Sequence, residues 1–197
     1  MNEEQVTELL LQSLEHEKGG VQVYETALKC VINEDLREEW DKYLDETRNH
    51  VQVLTDVCEQ SGLDPEQPSA GRSIVKKMGA SLVAAMNDAL KAGPPEAAQL
   101  VACECVVFAE TKDHLDWELI GKCAEKLRGE MGRALKDAYE EIEDQEDEHL
   151  YHSKGWCREL WIQSLGMKAV LPPPEERKDV KTAIGAARAE QAADKRR

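Results

Sequence analysis

Apolar side chains return every three or four positions over most of this chain, and the five stretches in which they do so predict five helices. The first, residues 3–31, carries Val6, Leu10, Leu14, Val21, Tyr24, Leu28 and Val31 on one stripe, and Glu17 falls within it. After a turn at residues 32–35, the second, residues 36–60, is striped at Leu36, Trp40, Tyr43, His50, Leu54 and Val57. A third stretch, residues 72–91, is bounded by Pro68 and Gly71 on one side and Gly93, Pro94 and Pro95 on the other. The fourth, residues 96–126, is striped at Cys103, Val107, Glu110, His114, Trp117, Gly121 and Ala124, and RGEMG at residues 128–132 reads as the turn that follows. The fifth, residues 134–165, carries Leu135, Tyr139, Ile142, Glu146, His149, Ser153, Trp156 and Leu160; Gly166 and the prolines at 172–174 stop it.

No run of alternating β-branched residues appears, so the fold class is all-α. Two short turns make two hairpins. The connection between the hairpins is long and holds the middle helix, whose about 20 residues reach roughly 30 Å. This order predicts a four-helix bundle with a long crossover containing an accessory helix, over residues 1–171. Residues 172–197, rich in Pro, Ala and charge, read as a flexible tail or a loosely attached helix. A homodimer is the default assembly, with Met78 and Met86 on the accessory helix as contact candidates if they point outward.

Charge narrows the function. The chain carries a formal −15, and the tail contributes +2, leaving −17 on the body. Such a surface repels phosphate, so nucleic-acid binding through a basic face is excluded and a cation ligand is favoured. Most of the 40 acidic residues are solvated helix faces. The acidic N-terminal stretch predicts no secretory leader, and no segment has the roughly 20 apolar residues needed to span a bilayer. Cys30, Cys58, Cys103, Cys105, Cys123 and Cys157 lie inside helical patterns without a CxxC pair, as small core residues in a reducing, cytoplasmic setting do.

The candidate chemistry lies in acidic and imidazole groups on the apolar stripes. EKGGVQVYE at residues 17–25 and ETKDHLDWE at 110–118 echo one another: Glu, six residues, an aromatic, then Glu. Seven residues are two helical turns, so Glu17 shares a face with Tyr24, and Glu110 with Trp117. The second and fifth helices echo as well, with His50 matching His149 and Thr47 matching Glu146. Glu146 and His149 form an inward Glu-x-x-His, ~60° apart astride the stripe. Folding each hairpin about its turn levels Glu17 with His50 and Glu110 with His149. A second register pairs DETRNH at 45–50 with DEHLYH at 147–152, which would substitute Glu148 and His152; Glu148 falls ~120° from the stripe centre and Glu146 within ~40°. His16 falls outside the stripe and reads as exposed.

Burying three carboxylates and two imidazoles at one level costs several kcal/mol per unpaired charge, and a metal neutralises such a set. Carboxylate and imidazole ligands without thiolate suit Fe or Mn, with Zn possible through His. Bundles that supply this set hold paired metals bridged by glutamate. The candidate ligands are Glu17, Glu46, His50, Glu110, His114, Glu146 and His149. His114 or His152, taken singly, also reads as a hydrogen-bonded core residue.

At these residues the chain resembles the ferritin-like superfamily, whose pattern is one Glu from each of two helices and a Glu-x-x-His from each of the other two. Glu17 with Tyr24, Glu110, Glu146 and His149 match; in the second helix Thr47 stands three before His50, and Glu46 is the candidate to supply that carboxylate. The resemblance extends to bacterial stress-associated ferritin-like proteins. It implies two irons reacting with O₂ or peroxide, in an oxidase- or ferroxidase-like role. Two other readings use the same residues: a metal-free scaffold with a buried Glu/His polar layer, and a manganese catalase-like protein.

Overall fold

A computed structural model describes residues 1–197 as seven helices and no strand. Five are long: α1 (Glu3–Cys30), α2 (Glu34–Gln60), α3 (Ala70–Ala92), α4 (Pro95–Lys126) and α5 (Gly129–Ser164). Local chemistry sets their starts. The Asn33 side chain caps α2 by accepting from Leu36 N, Ser69 caps α3 by accepting from Arg72 N, and Pro95 opens α4 where no backbone N–H is required. The expected turn at residues 128–132 is shorter than its glycines suggest, since α5 already begins at Gly129. Gly132 makes this possible: a Cβ there would come within 2.6 Å of the Leu127 carbonyl oxygen.

Helices α1, α2, α5 and α4 form a closed ring in which each touches its two neighbours. Across α1 and α4, Glu17 meets Trp117 while Tyr24 meets Glu110, so these helices run in opposite directions. The same holds for α2 and α5, where Tyr43 meets His152 and His50 meets Gln145. The apolar core divides into two clusters, one around Tyr24, Leu36, Trp40, Val106 and Trp156 and the other around Leu10, Leu54, Trp117, Leu135 and Ile142. Between them in sequence lies a buried polar layer of Glu17, Thr47, His50, Glu110, Asp113, Glu146 and His149.

The crossover helix α3 lies along the flank of α1 and α4. Gly19 and Gly79 let α1 and α3 cross closely, with a Cβ at Gly79 only 3.4 Å from the Gly19 Cα. The packing of α1 against its neighbours overturns the expectation that His16 is exposed. Glu15, His16 and Glu17 are all buried in succession because α1 is covered on two sides, and His16 Nε2 lies 2.9 Å from the Ala109 carbonyl. Glu15 accepts from Arg72 Nε at 2.7 Å, and Arg72 also donates to the carbonyls of Pro65 and Gln67. Met86 is fully buried, facing the core, whereas Met78 is exposed.

Residues 172–197 form the short α6 (Pro174–Arg177) and α7 (Ala183–Asp194), both against α5. Glu175 takes two bonds from Arg158, at 2.6 and 3.0 Å, and buried Glu159 accepts from Val170 N and Arg197. These ion pairs hold a segment whose composition alone suggests looser attachment. All six cysteines are free, and no helix is long and apolar enough to cross a membrane.

Breaking the buried Glu15–Arg72 pair from one side leaves a charge without a partner, which costs about 3–5 kcal/mol. Arg72→Ala should therefore lower the free energy of unfolding by about that amount in urea titrations, and Glu15→Gln combined with Arg72→Met should restore part of it.

Candidate metal centre

The polar layer is built from one or two residues of each ring helix. Glu17 on α1 lies 3.5 Å from His50 on α2, and Glu110 on α4 lies 3.7 Å from His149 on α5, measured to each Nδ1. Glu146 on α5 sits between the pairs, its Oε1 2.9 Å from His50 Nδ1 and 3.7 Å from His149 Nδ1. Two overlapping groups of ligand atoms result, Glu17–His50–Glu146 and Glu110–Glu146–His149, each with its atoms within 4.8 Å of one another. Glu146 belongs to both. The two imidazoles stack, with ring centroids 5.6 Å apart and planes 21° from parallel.

Cross-bracing fixes these side chains. Trp117 Nε1 donates to Glu17 at 2.8 Å, and Tyr24 donates to Glu110 at 2.7 Å. Each inward Glu is thus held by the aromatic that follows the other Glu by seven residues, which explains the sequence echo. The imidazoles are braced in the same crossed manner. His50 Nε2 faces Gln145 of α5, and His149 Nε2 faces Glu46 of α2, both at 2.9 Å. With Nε2 as the donor in each case, the neutral rings present an Nδ1 lone pair to the interior.

The remaining candidates fall outside the two groups. Glu46 is half-buried and meets the outer nitrogen of His149, so it does not turn inward to stand for the carboxylate absent at Thr47. Thr47 is buried and donates to the Tyr43 carbonyl. His114 pairs with Asp147 at 2.6 Å, half-buried between α4 and α5. In the second register, Glu148 pairs with Lys42, and His152 bonds Tyr43 and Glu39. Asp113 is a member of the layer that periodicity did not single out; it is 4% exposed with Oδ1 unpartnered. Its place three residues after Glu110, on the same side of the helix, is the signal that could have found it.

The atoms facing the middle are without hydrogen-bond partners: Glu17 Oε2, Glu110 Oε2, both oxygens of Glu146, and Nδ1 of His50 and His149. His50 Nδ1 and Glu146 Oε1 are close but lack the alignment of a hydrogen bond, as happens when two atoms are aimed at a common point and not at each other. Orphaned buried polar atoms are costly in a native core, and six that converge match the donor set of a carboxylate–imidazole metal centre. The residues present fit a metal ion held by buried carboxylates and imidazoles.

The electrostatics agree. Burial, joined by the field of Glu146, pushes Glu110 up to about 7 despite the opposing pull of His149. Burial, with Glu146, Glu17 and Glu110, drives Asp113 well above the usual range. Burial lowers the affinity of His50 for a proton, but Glu17 and Glu146 outweigh it and leave the imidazole well above its ordinary value. His149 is raised likewise, by Glu46, Glu110 and Glu146 against burial. Without metal, this layer holds protons. Comparison with protein-family models, with curated proteins and with solved structures finds no match.

Raised carboxyls and raised imidazoles act in the same direction on stability. The native state binds protons there that the unfolded chain releases, so stability is greatest at low pH within the window and falls as pH rises through the native values. Glu17 and Glu46 are lowered from 4.5, and their contribution is lost only below that value. The metal-free protein should therefore melt at a higher temperature at about pH 6 than at about pH 8, measured by circular dichroism. Glu110→Gln should flatten that slope.

Proposed function

We propose that the layer is a dinuclear metal centre of a ferritin-like bundle, in which Glu17 and His50 hold one ion, Glu110 and His149 the other, and Glu146 both. The observation that carries this reading is the convergence of six unpartnered buried ligand atoms on two groups that share one carboxylate. The donor set favours iron or manganese, with zinc possible through the imidazoles. Bound there, a redox-active pair of such ions would supply electrons to O₂ or peroxide, in an oxidase- or ferroxidase-like reaction.

The chain's own part is to hold geometry and manage protons. Gln145 and Glu46 keep both imidazoles in the tautomer that offers Nδ1. Trp117 and Tyr24 restrain one oxygen of Glu17 and of Glu110 and leave the other oxygen free. Glu110, pushed up to about 7, gives up its proton near neutral pH as a cation takes its place. The Tyr24 hydroxyl stays protonated, since burial and the neighbouring Glu110 hold it well above its ordinary value. The two apolar clusters exclude water from above and below.

Thr47 favours a second reading, a metal-free scaffold in which the layer serves as a polar specificity element, because α2 offers only His50 to the interior. Anaerobic titration of ferrous or manganous ion into protein stripped of metal separates the two. The dinuclear reading expects about two ions per chain, abolition of binding in Glu146→Ala, and loss of one ion each in Glu17→Ala and Glu110→Ala. No binding of any divalent ion would leave the scaffold. Gas evolution from peroxide by manganese-loaded protein would assign catalase-like chemistry.

A further inference from the structure

An opening of about 120 Å³ between α4 and α5 has the shared carboxylate in its lining. Its lining is graded by burial: Glu118 and Glu143 are exposed at the mouth, His114 and Asp147 are half-buried below them, and Glu146 is 1% exposed at the floor. No lysine or arginine lines it. Both oxygens of Glu146 are buried without a hydrogen-bond partner, so the residue at the floor of the opening carries free ligand atoms that are closed off from solvent. Trp117, which forms another part of the lining, holds Glu17 of the first ligand group.

We infer that this opening is the inlet through which a divalent cation reaches the buried layer, with His114 and Asp147 as transit ligands partway down; the inference rests on the dinuclear reading. Carboxylates at the mouth of a low-dielectric channel concentrate cations and raise their rate of arrival. His114 Nε2 and Asp147 Oδ1, 2.6 Å apart, form a paired nitrogen and oxygen between the solvent-facing glutamates and Glu146. A cation would pass by displacing to solvent the proton they share, and would then exchange them for Glu146. An opening of this size suits hydrated ions and small molecules such as O₂ and peroxide. The acidic hollow beside α6 does not compete: it contains Lys42, and its deepest imidazole, His152, is bonded to Tyr43 and Glu39 and belongs to neither ligand group.

The test is the rate at which cobaltous ion loads metal-free protein, followed by stopped-flow absorbance, together with the final stoichiometry by elemental analysis. Glu118→Gln with Glu143→Gln and Asp147→Asn should slow loading about tenfold or more at low ionic strength and weaken its salt dependence. The final number of ions per chain should stay that of the wild type. Glu143→Lys alone, a substitution at an exposed site, should slow loading in the same direction, which guards against a folding defect in the triple variant. Wild-type loading rates in both variants would overturn the inlet while leaving the dinuclear centre intact. Loss of an ion in the triple variant would overturn it too, making Asp147 a resident ligand. Absence of cobalt binding in the wild type would overturn both.

Discussion

Three glutamates and an aspartate at mid-height in a bundle are cut off from bulk water, and the rest of this molecule is arranged around that constraint. A carboxylate in such a place must be neutralised by a proton, an imidazole or a metal. Here the donors are few, Trp117 to Glu17 and Tyr24 to Glu110, while Glu146 has two imidazoles close by and no hydrogen bond. The apolar residues therefore cannot form one continuous core. They divide into two clusters that grip the ring helices above and below the layer. The layer in turn ties the register of all four helices, because a slip of any one would move a charged group into an apolar cluster.

The site has an approximate two-fold character that its residues break at one place. Glu17 and Glu110 exchange aromatic donors, and His50 and His149 exchange braces from the opposite helix. Glu146 has no counterpart, since Thr47 stands in the matching position and donates to its own helix. One carboxylate therefore serves both ligand groups, and it comes from α5, the helix that with α4 lines the acidic opening. The break in symmetry and the place of access coincide on the same residue.

Elements outside the ring close the other sides. The α3 helix covers α1 and α4 along one flank and anchors itself through Arg72 on Glu15. On α5, Arg158 and Glu159 tie down α6 and α7 through buried ion pairs. Neither element supplies an atom to the two ligand groups. Their contribution is coverage of the outer faces of α1, α4 and α5.

Helical period, the two short turns and the long proline-bounded crossover were enough to read five helices and their hairpin pairing from the chain, because these depend on spacing within one element. The same spacing identified Glu17, His50, Glu110, Glu146 and His149 as inward, and the internal echoes levelled them. What spacing does not contain is which partner covers a second face. The burial of His16 and Met86, the outward turn of Glu46 to His149, and the pairing of His114 with Asp147 all follow from packing between helices distant in sequence. Asp113 escaped for the same reason: an aspartate one turn from an inward glutamate is usually solvated, and only the approach of Glu146 and Glu17 from other helices makes it part of the charged layer. Sequence determined the helices and the stripe of each that faces its hairpin partner; tertiary structure decided which second faces are covered and which residues meet, because a meeting depends on the rotation and depth at which the helices settle together.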